Sequence, residues 1–340
     1  MGFHTHLVDV RAAILAGKAV KSKKKIDTPA AQGYPPAVSF IRAAVSKMLK
    51  IKDLRQVGVV GLGLLGASVT LAVQGALPGV RTVGYGHRAA TRRKARAMGV
   101  ASEVAGRLAD CVAGCDLVIL ATPICTFARL FEQIGPHLKP GAVVTDVGST
   151  KVQPHRWARK ALPKGAFYVG SHPIAGSEKR GLEYARDDLF MGARCVLTTD
   201  RYTNPRALGL LREFWARLGC TVHIMSPPAH DRILGRVSHL PHVLAAALVN
   251  ASDAEQLRFA GKGFIDTSRV SSGPANIWAD ILVTNPTNTV HGVRAVIREL
   301  RRLEAAISAG DKAQIEALLA NAERKREELI AYKVENKELF

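Results

Sequence analysis

A short apolar run, Val57-Gly58-Val59-Val60, leads directly into Gly61-Leu62-Gly63-Leu64-Leu65-Gly66 and then into a helical pattern over Leu65–Gln74. Few folds accept a strand that enters GxGxxG and leaves as a helix. Gly61 permits the tight turn, Gly63 lets a pyrophosphate approach the backbone, and Gly66 lets helix and strand pack closely. The helix N-terminus offers unpaired N–H groups to phosphate. In this position the motif predicts the first βαβ unit of a dinucleotide-binding domain, with Gly61, Leu62, Gly63, Leu64, Leu65 and Gly66 as its cradle. The competing reading is a chance glycine-rich turn.

The rest of the chain continues the pattern. Strand candidates stand at Val57–Val60, Thr82–Tyr85, Leu117–Ala121, Val143–Asp146, Phe167–Val169, Cys195–Thr198 and Val222–Ile224, with amphipathic stretches such as Thr91–Met98 between them. This alternation predicts an α/β, Rossmann-type, doubly wound and mostly parallel sheet. After Pro227-Pro228 the strands stop. Helical patterns at Asp231–Asn250, Asp253–Phe259, Asn276–Val283, Val290–Ser308 and Asp311–Lys333 predict an all-α C-terminal domain. Three segments result: a basic arm over 1–54, a dinucleotide-binding domain over 55–225, and a helical domain for substrate binding and dimerisation over 226–340. A targeting leader is the other reading of the arm, but Asp9 and Asp27 interrupt it and no apolar core with a cleavage site follows.

Composition narrows the class. The chain has 340 residues, is 47% hydrophobic and 22% charged, and no apolar run is long enough to cross a bilayer. Five cysteines without a CxxC pair suit free thiols in a reducing cytoplasm and give no zinc site. The net charge of +20 is partly local: residues 1–55 hold 11 Lys/Arg against 3 Asp/Glu. The remaining excess is spread over helices with few aromatics between, which favours a solubilising surface and anionic ligands over nucleic acid.

At the end of the second strand, Tyr85-Gly86-His87-Arg88, an acidic residue would normally accept from the ribose 2′-hydroxyl. No Asp or Glu occurs between Asp53 and Glu103. Gly86 opens space instead, His87 flanks it, and Arg88, with Arg92 and Arg93 behind it, offers cations to a 2′-phosphate. NADP is therefore favoured and NAD is possible. Thr122 and Pro123 close a strand at the ligand-binding edge of the sheet, and Ser149 closes the next in Asp146-Val147-Gly148-Ser149-Thr150-Lys151. Ser149 suits either a bond to nicotinamide or substrate, or a cap on the helix that starts near Lys151.

Gly170-Ser171-His172-Pro173-Ile174-Ala175-Gly176-Ser177-Glu178 reads as a loop carrying an imidazole able to take a proton beside a hydride acceptor. In the helical domain His230-Asp231 precedes Ser238-His239-Leu240-Pro241-His242. These histidines lack a full ligand set for a metal and suit hydrogen bonds to an anionic substrate. Arg269 is a candidate bidentate clamp for a carboxylate, with Asp266 to orient it and Trp278 further on. A surface ion pair is the plainer reading.

In this order, these motifs resemble the prephenate/arogenate dehydrogenase family of tyrosine biosynthesis, over nearly everything but the arm. The resemblance implies oxidative decarboxylation of a dianionic cyclohexadienol with hydride transfer to NAD(P), in a homodimer joined through the helical domain. It implies His172 as proton acceptor, Ser149 holding the hydroxyl, and Arg269, His242, His239 and Trp278 as substrate contacts. Glu178 and Asp266 would join Arg269 in an ionic gate. Two departures stand out: Ile265 where the family often has a polar or basic residue, and Gly86 in place of the usual acid. A β-hydroxyacid dehydrogenase would need a catalytic lysine in the helical domain, which cannot be placed. A basic nucleic-acid-binding protein with a dinucleotide-sensing domain is the reading from another class. Neither a membrane nor a metal is expected.

Overall fold

Residues 50–175 and 181–336 are described by a computed structural model. The arm up to residue 49 and Glu178 lie outside the described residues.

Strands β1 (Gln56–Val60), β2 (Arg81–Tyr85), β3 (Glu103–Val104), β4 (Leu117–Leu120), β5 (Val143–Asp146) and β6 (Phe167–Tyr168) form a six-stranded parallel sheet in the order β3-β2-β1-β4-β5-β6. The connecting helices are α1 (Leu64–Ala76), α2 (Ala89–Ala97), α3 (Leu108–Val112), α4 (Phe127–Ile134) and α5 (Val152–Ala161). Such sheets are buried on both faces, which is why β4 reads as an unbroken apolar run. Val57, Val59, Leu117 and Ile119 pack on one face with Phe214 and Trp215. Val60, Val118, Leu120, Phe127 and Phe131 pack on the other, as the two-residue period of a strand requires. Strand order reverses between β1 and β4, so their carboxyl ends open a crevice.

The doubly wound class holds, but the strands beyond Tyr168 form a separate sheet. Here β7 (Gly170–Ile174) pairs antiparallel with β8 (Arg194–Thr198), which runs parallel to β9 (Thr221–Met225); α6 (Pro205–Arg217) links the last two. This corrects the expectation for His172. It sits in the middle of β7, opposite Val196, and not in a loop. Pro173 is compatible because β7 is an edge strand, where a missing N–H costs no ladder bond.

The helical part contains α7 (Pro227–Leu234), α8 (Leu240–Asn250), α9 (Ala254–Arg258), α10 (Lys262–Ser268), α11 (Ala275–Thr284), α12 (Pro286–Ser308) and α13 (Lys312–Glu335). The pattern expected over Asp231–Asn250 is broken by a π-helical turn at Gly235–His239. Pro241 has no N–H to give a continuous helix, and the turn leaves it in the first turn of α8, where none is needed. Along α12 and α13, Ile297, Leu300, Ile307, Leu319 and Leu329 remain exposed.

The fingerprint glycines have distinct reasons. Gly61 has φ of 108°, and a Cβ there would lie 2.4 Å from the Ala121 carbonyl oxygen. A Cβ on Gly66 would lie 1.8 Å from the Gly61 carbonyl oxygen. Gly66→Ala should therefore push α1 away from β1 and cost about 1–3 kcal/mol, as overpacking does. Thermal unfolding checks this, and a wild-type Tm would contradict the packing argument.

Candidate active site

Around the β1–β4 crevice lies a cavity of about 1210 Å³ whose walls include Gly61, Gly63, Gly86, Arg88, Thr122 and Pro123. Gly63 begins α1 without a side-chain cap, so the first N–H groups of the helix face the opening. Among the described residues beyond its chain neighbours, nothing lies within 4 Å of a Cβ built on Gly63. That glycine is thus unexplained by packing and is explained by a phosphate approaching the backbone. The cradle fits a dinucleotide. Leu62 is buried against the underside of the turn, with its methyl carbons beside Gly84, while Leu64 and Leu65 are half-buried at the helix start. His87 and Arg88 are exposed at the cavity wall, and the Arg88 guanidinium forms no hydrogen bond among the described residues. Arg92 is otherwise engaged: its Nη1 donates to the carbonyls of Gly86 (2.8 Å) and His87 (2.9 Å) and braces the turn.

His172, His230, His239 and His242 are not among the residues that line this cavity. They stand beside the loop after β5, whose Lys151 N–H donates to the carboxylate of Asp231, the neighbour of His230. Strand β7 is held from below: Ser171 Oγ lies 2.6 Å from Thr145 Oγ1 and accepts from Trp215 Nε1 at 3.0 Å. Alternation along the strand then turns His172 to the opposite side, where its Nδ1 is 2.9 Å from His230 Nε2. His230 Nδ1 is in turn 2.8 Å from Asp231 Oδ1. This chain assigns the tautomers. The Asp231 carboxylate can only accept, so His230 carries its proton on Nδ1 and accepts through Nε2. His172 therefore donates from Nδ1, and its Nε2 keeps a bare lone pair.

Asp231 is fixed by two further donors. The backbone N–H groups of Lys151 (2.7 Å) and Val152 (2.9 Å), at the start of α5, both reach its carboxylate. Ser149 is not the cap of that helix. It is half-buried, and its hydroxyl forms no hydrogen bond among the described residues. Beneath it, Lys151 and Asp146 form a fully buried ion pair, and Asp146 also accepts from Tyr168 Oη (2.8 Å) and Gly148 N (2.9 Å).

Residues His239 and His242 complete the cluster. Asn285 Nδ2 faces His239 Nδ1 at 3.2 Å while also donating to the Asp231 carbonyl at 2.7 Å. An amide nitrogen only donates, so His239 accepts through Nδ1 and bears its proton on Nε2, which is buried without a partner among the described residues. His242 stacks on Trp278, with centroids 3.6 Å apart and planes 9° from parallel, and its buried Nδ1 is likewise unpartnered. Gly273 makes room for that stack, since a Cβ there would fall 2.2 Å from Trp278 Nε1. Two buried polar atoms without a partner among the described residues call for a polar ligand.

The structure gathers His172, His239, His242 and Trp278, and it adds His230 in the relay position where a substrate contact was expected. Asp266 is exposed on α10 and pairs with Lys262 at 2.9 Å. Arg269 opens the short 3₁₀ turn at Arg269–Ser272, which packs on α8, and the adjoining Val270 carbonyl lies against His242. His230-Asp231, on the helix opened by Pro227-Pro228, is visible in the sequence, whereas its pairing with His172 is not.

Comparison with known proteins agrees with this fold. Residues 69–224 match the model of the prephenate dehydrogenase nucleotide-binding domain, and residues 226–321 match that of the prephenate dehydrogenase dimerization domain. The chain belongs to the prephenate dehydrogenase family. A prephenate dehydrogenase of Bacillus subtilis is 33% identical over 258 residues, covering 74% of this chain and 70% of that protein. A cyclohexadienyl dehydrogenase of Zymomonas mobilis is 29% identical over 264 residues, covering 76% and 90%. Among solved structures, prephenate dehydrogenase from Aquifex aeolicus with hydroxyphenyl propionate and NAD+ aligns with a TM-score of 0.75 at 30% identity, covering 81% of this chain and 98% of that one. Synechocystis arogenate dehydrogenase aligns with a TM-score of 0.69 at 30% identity, covering 81% and 99%. As a member of this family the chain is an oxidoreductase that uses a nicotinamide dinucleotide.

Burial holds the His172 imidazole well below the ordinary histidine range, and neighbouring His230, Lys151 and His239 push it the same way. Burial likewise lowers His239, to about 4, and lowers His230 against the pull of Asp231. The cluster is therefore neutral at pH 7. The unfolded chain protonates these rings below pH ~6.5, whereas the folded chain resists. Stability is thus unaffected by them above pH ~6.5 and is lost as pH falls toward about 4, where the His239 contribution levels off. Each such ring costs at most about 1.4 kcal/mol per pH unit in that window. Urea unfolding at pH 7.5 and 5 measures the loss, and His239→Asn should reduce it. An equal slope in wild type and variant would contradict the assignment.

Proposed function

We propose that this chain catalyses the oxidative decarboxylation of prephenate, arogenate or both, with NADP favoured over NAD. The observation that carries the reading is the His172–His230–Asp231 chain, which leaves His172 Nε2 as a bare, uncharged base. When bound, the nicotinamide supplies the hydride acceptor. The substrate hydroxyl lies against His172 Nε2 and the free Ser149 hydroxyl. His172 takes the hydroxyl proton as hydride leaves the same ring carbon. The bond to the ring carboxylate then breaks, its electron pair completes the aromatic ring, and the phenolic oxygen regains a proton as CO2 departs.

A dianionic substrate needs donors and positive charge. His239 Nε2–H offers an otherwise unmet donor, and Arg269 offers a fork suited to a carboxylate. His242 and Trp278 present a flat stacked wall beside them. Arg88, facing the cavity without a hydrogen-bond partner among the described residues, favours a 2′-phosphate where Gly86 stands in place of an acid. Residues 55–225 hold the dinucleotide, and residues 226–340 hold substrate and a second copy. The exposed apolar side chains of α12 and α13 supply a surface for a homodimer. Among the described residues no helix is long and apolar enough to cross a membrane. The cytoplasm, with its reduced thiols, is the compartment this reading assigns.

Purified protein assayed with prephenate and arogenate, each against NAD+ and NADP+, tests the substrate directly. Turnover of neither substrate would overturn the reading. His172→Asn should lower kcat by about 10²–10⁴-fold while leaving dinucleotide affinity intact. Arg269→Gln should chiefly raise KM. Because burial depresses His172, the acid limb of kcat/KM should lie below pH ~6.5.

A further inference from the structure

The end of β2 lacks the acid that would read a ribose 2′-hydroxyl. Among the described residues lining this cavity a single carboxylate appears, and it comes from far along the chain: Glu183. It lies 2.9 Å from Lys94 Nζ, which projects from α2 into the same cavity.

This placement is built into the fold. Leu182 is buried in one cluster with Leu62, the residue between the first two fingerprint glycines, and with Ala67 and Ala95. Arg186 N donates to Ser68 Oγ on α1 at 3.0 Å, which pins the far side of the turn. Gly181 has φ of 102°, and a Cβ there would fall 2.5 Å from the Glu183 carboxylate. Lys94 stands one helical turn beyond Thr91, and Thr91 is the side chain that a Cβ on Gly86 would strike at 3.0 Å. The pair therefore borders the β2–α2 turn, where dinucleotide-binding folds read the 2′ position.

We propose that Glu183 and Lys94 form a specificity-determining pair for the 2′ substituent of the dinucleotide. Glu183 supplies, from a distant turn, the negative charge missing at β2, and Lys94 offsets it. An unpaired carboxylate at this rim repels a 2′-phosphate, and an unpaired ammonium attracts one. Held together, the two leave the preference to Arg88. The inference rests on the reading that Arg88 faces the 2′ position in this cavity.

Calorimetric titration of the full chain with NADP+ and with NAD+, without substrate, tests it. Glu183→Gln should raise the NADP-to-NAD affinity ratio roughly threefold, and Lys94→Ala should lower it by a similar factor. Both effects should shrink at high salt. The two side chains are about half exposed, at 47% and 48%, so neither variant threatens the fold, and matched Tm values verify this. Ratios that stay put or move the opposite way overturn the pair. Arg88→Ala is the separate arm. If it lowers the ratio while the pair variants do not, the 2′-phosphate reading survives and the pair is rejected. If it leaves the ratio unchanged, the Arg88 reading is rejected whatever the pair does.

Discussion

The Asp231 carboxylate joins three requirements that would otherwise be independent. It accepts the first N–H groups of α5 through Lys151 and Val152, so it satisfies donors that every helix start leaves open. It accepts from His230, and thereby fixes which nitrogen of His172 is free. Its backbone carbonyl accepts from Asn285, which also sets the tautomer of His239. Asp231 belongs to α7, whereas α5 follows the last long strand of the parallel sheet. A single residue thus ties the helical part to the sheet and orients two rings of the site. Charge at such a point is tolerated because it is met by oriented donors on several sides.

The electrostatics of the cluster follow from that arrangement. Histidines buried together repel each other's protons, and nearby Lys151 adds to the effect. Neutral rings are what a proton acceptor and an uncharged donor require before an anion arrives. A dianion entering the pocket would favour protonation, so the base becomes stronger only once substrate is present. The buried Lys151–Asp146 pair sits beneath these rings and is closed off by Tyr168 and Gly148 N, so its charges are spent internally.

Much of this was legible before the structure. The fingerprint, the parallel strands and the two-part division by strands and helices all follow from local periodicity and glycine placement, which depend on near neighbours in the chain. His172, Ser149, His239, His242 and Trp278 were legible as candidates because they sit at strand ends or in unusual runs. What could not be read is whatever depends on distant pairing. Strand β7 looked like a loop because Pro173 and two flanking glycines argue against a strand, and only an edge position next to β8 removes the objection. The π turn before Pro241 depends on the close approach of α12 at Gly235, where a Cβ would lie 2.9 Å from Asn288 Cβ. Asp266, drawn with Glu178 as a partner of Arg269, has Lys262 one turn away on an exposed helix, a contact that needs no tertiary structure.

Placing the base on a strand changes how precision is achieved at the site. A loop histidine would need its own anchors, whereas His172 inherits the register of β7 against β8 and the anchoring of Ser171 on Thr145 and Trp215. Its ring then needs only one further constraint, supplied by His230. The substrate side is arranged differently. Arg269 lies on an exposed turn whose link to the cluster runs through Val270 and His242. The half proposed to accept the proton is therefore anchored within one chain, while the half proposed to bind the carboxylate lies at the surface of the helical part, which also exposes apolar side chains along α12 and α13. A second copy covering that surface would order the second half without disturbing the first, and assembly would then act on substrate affinity more than on the chemical step.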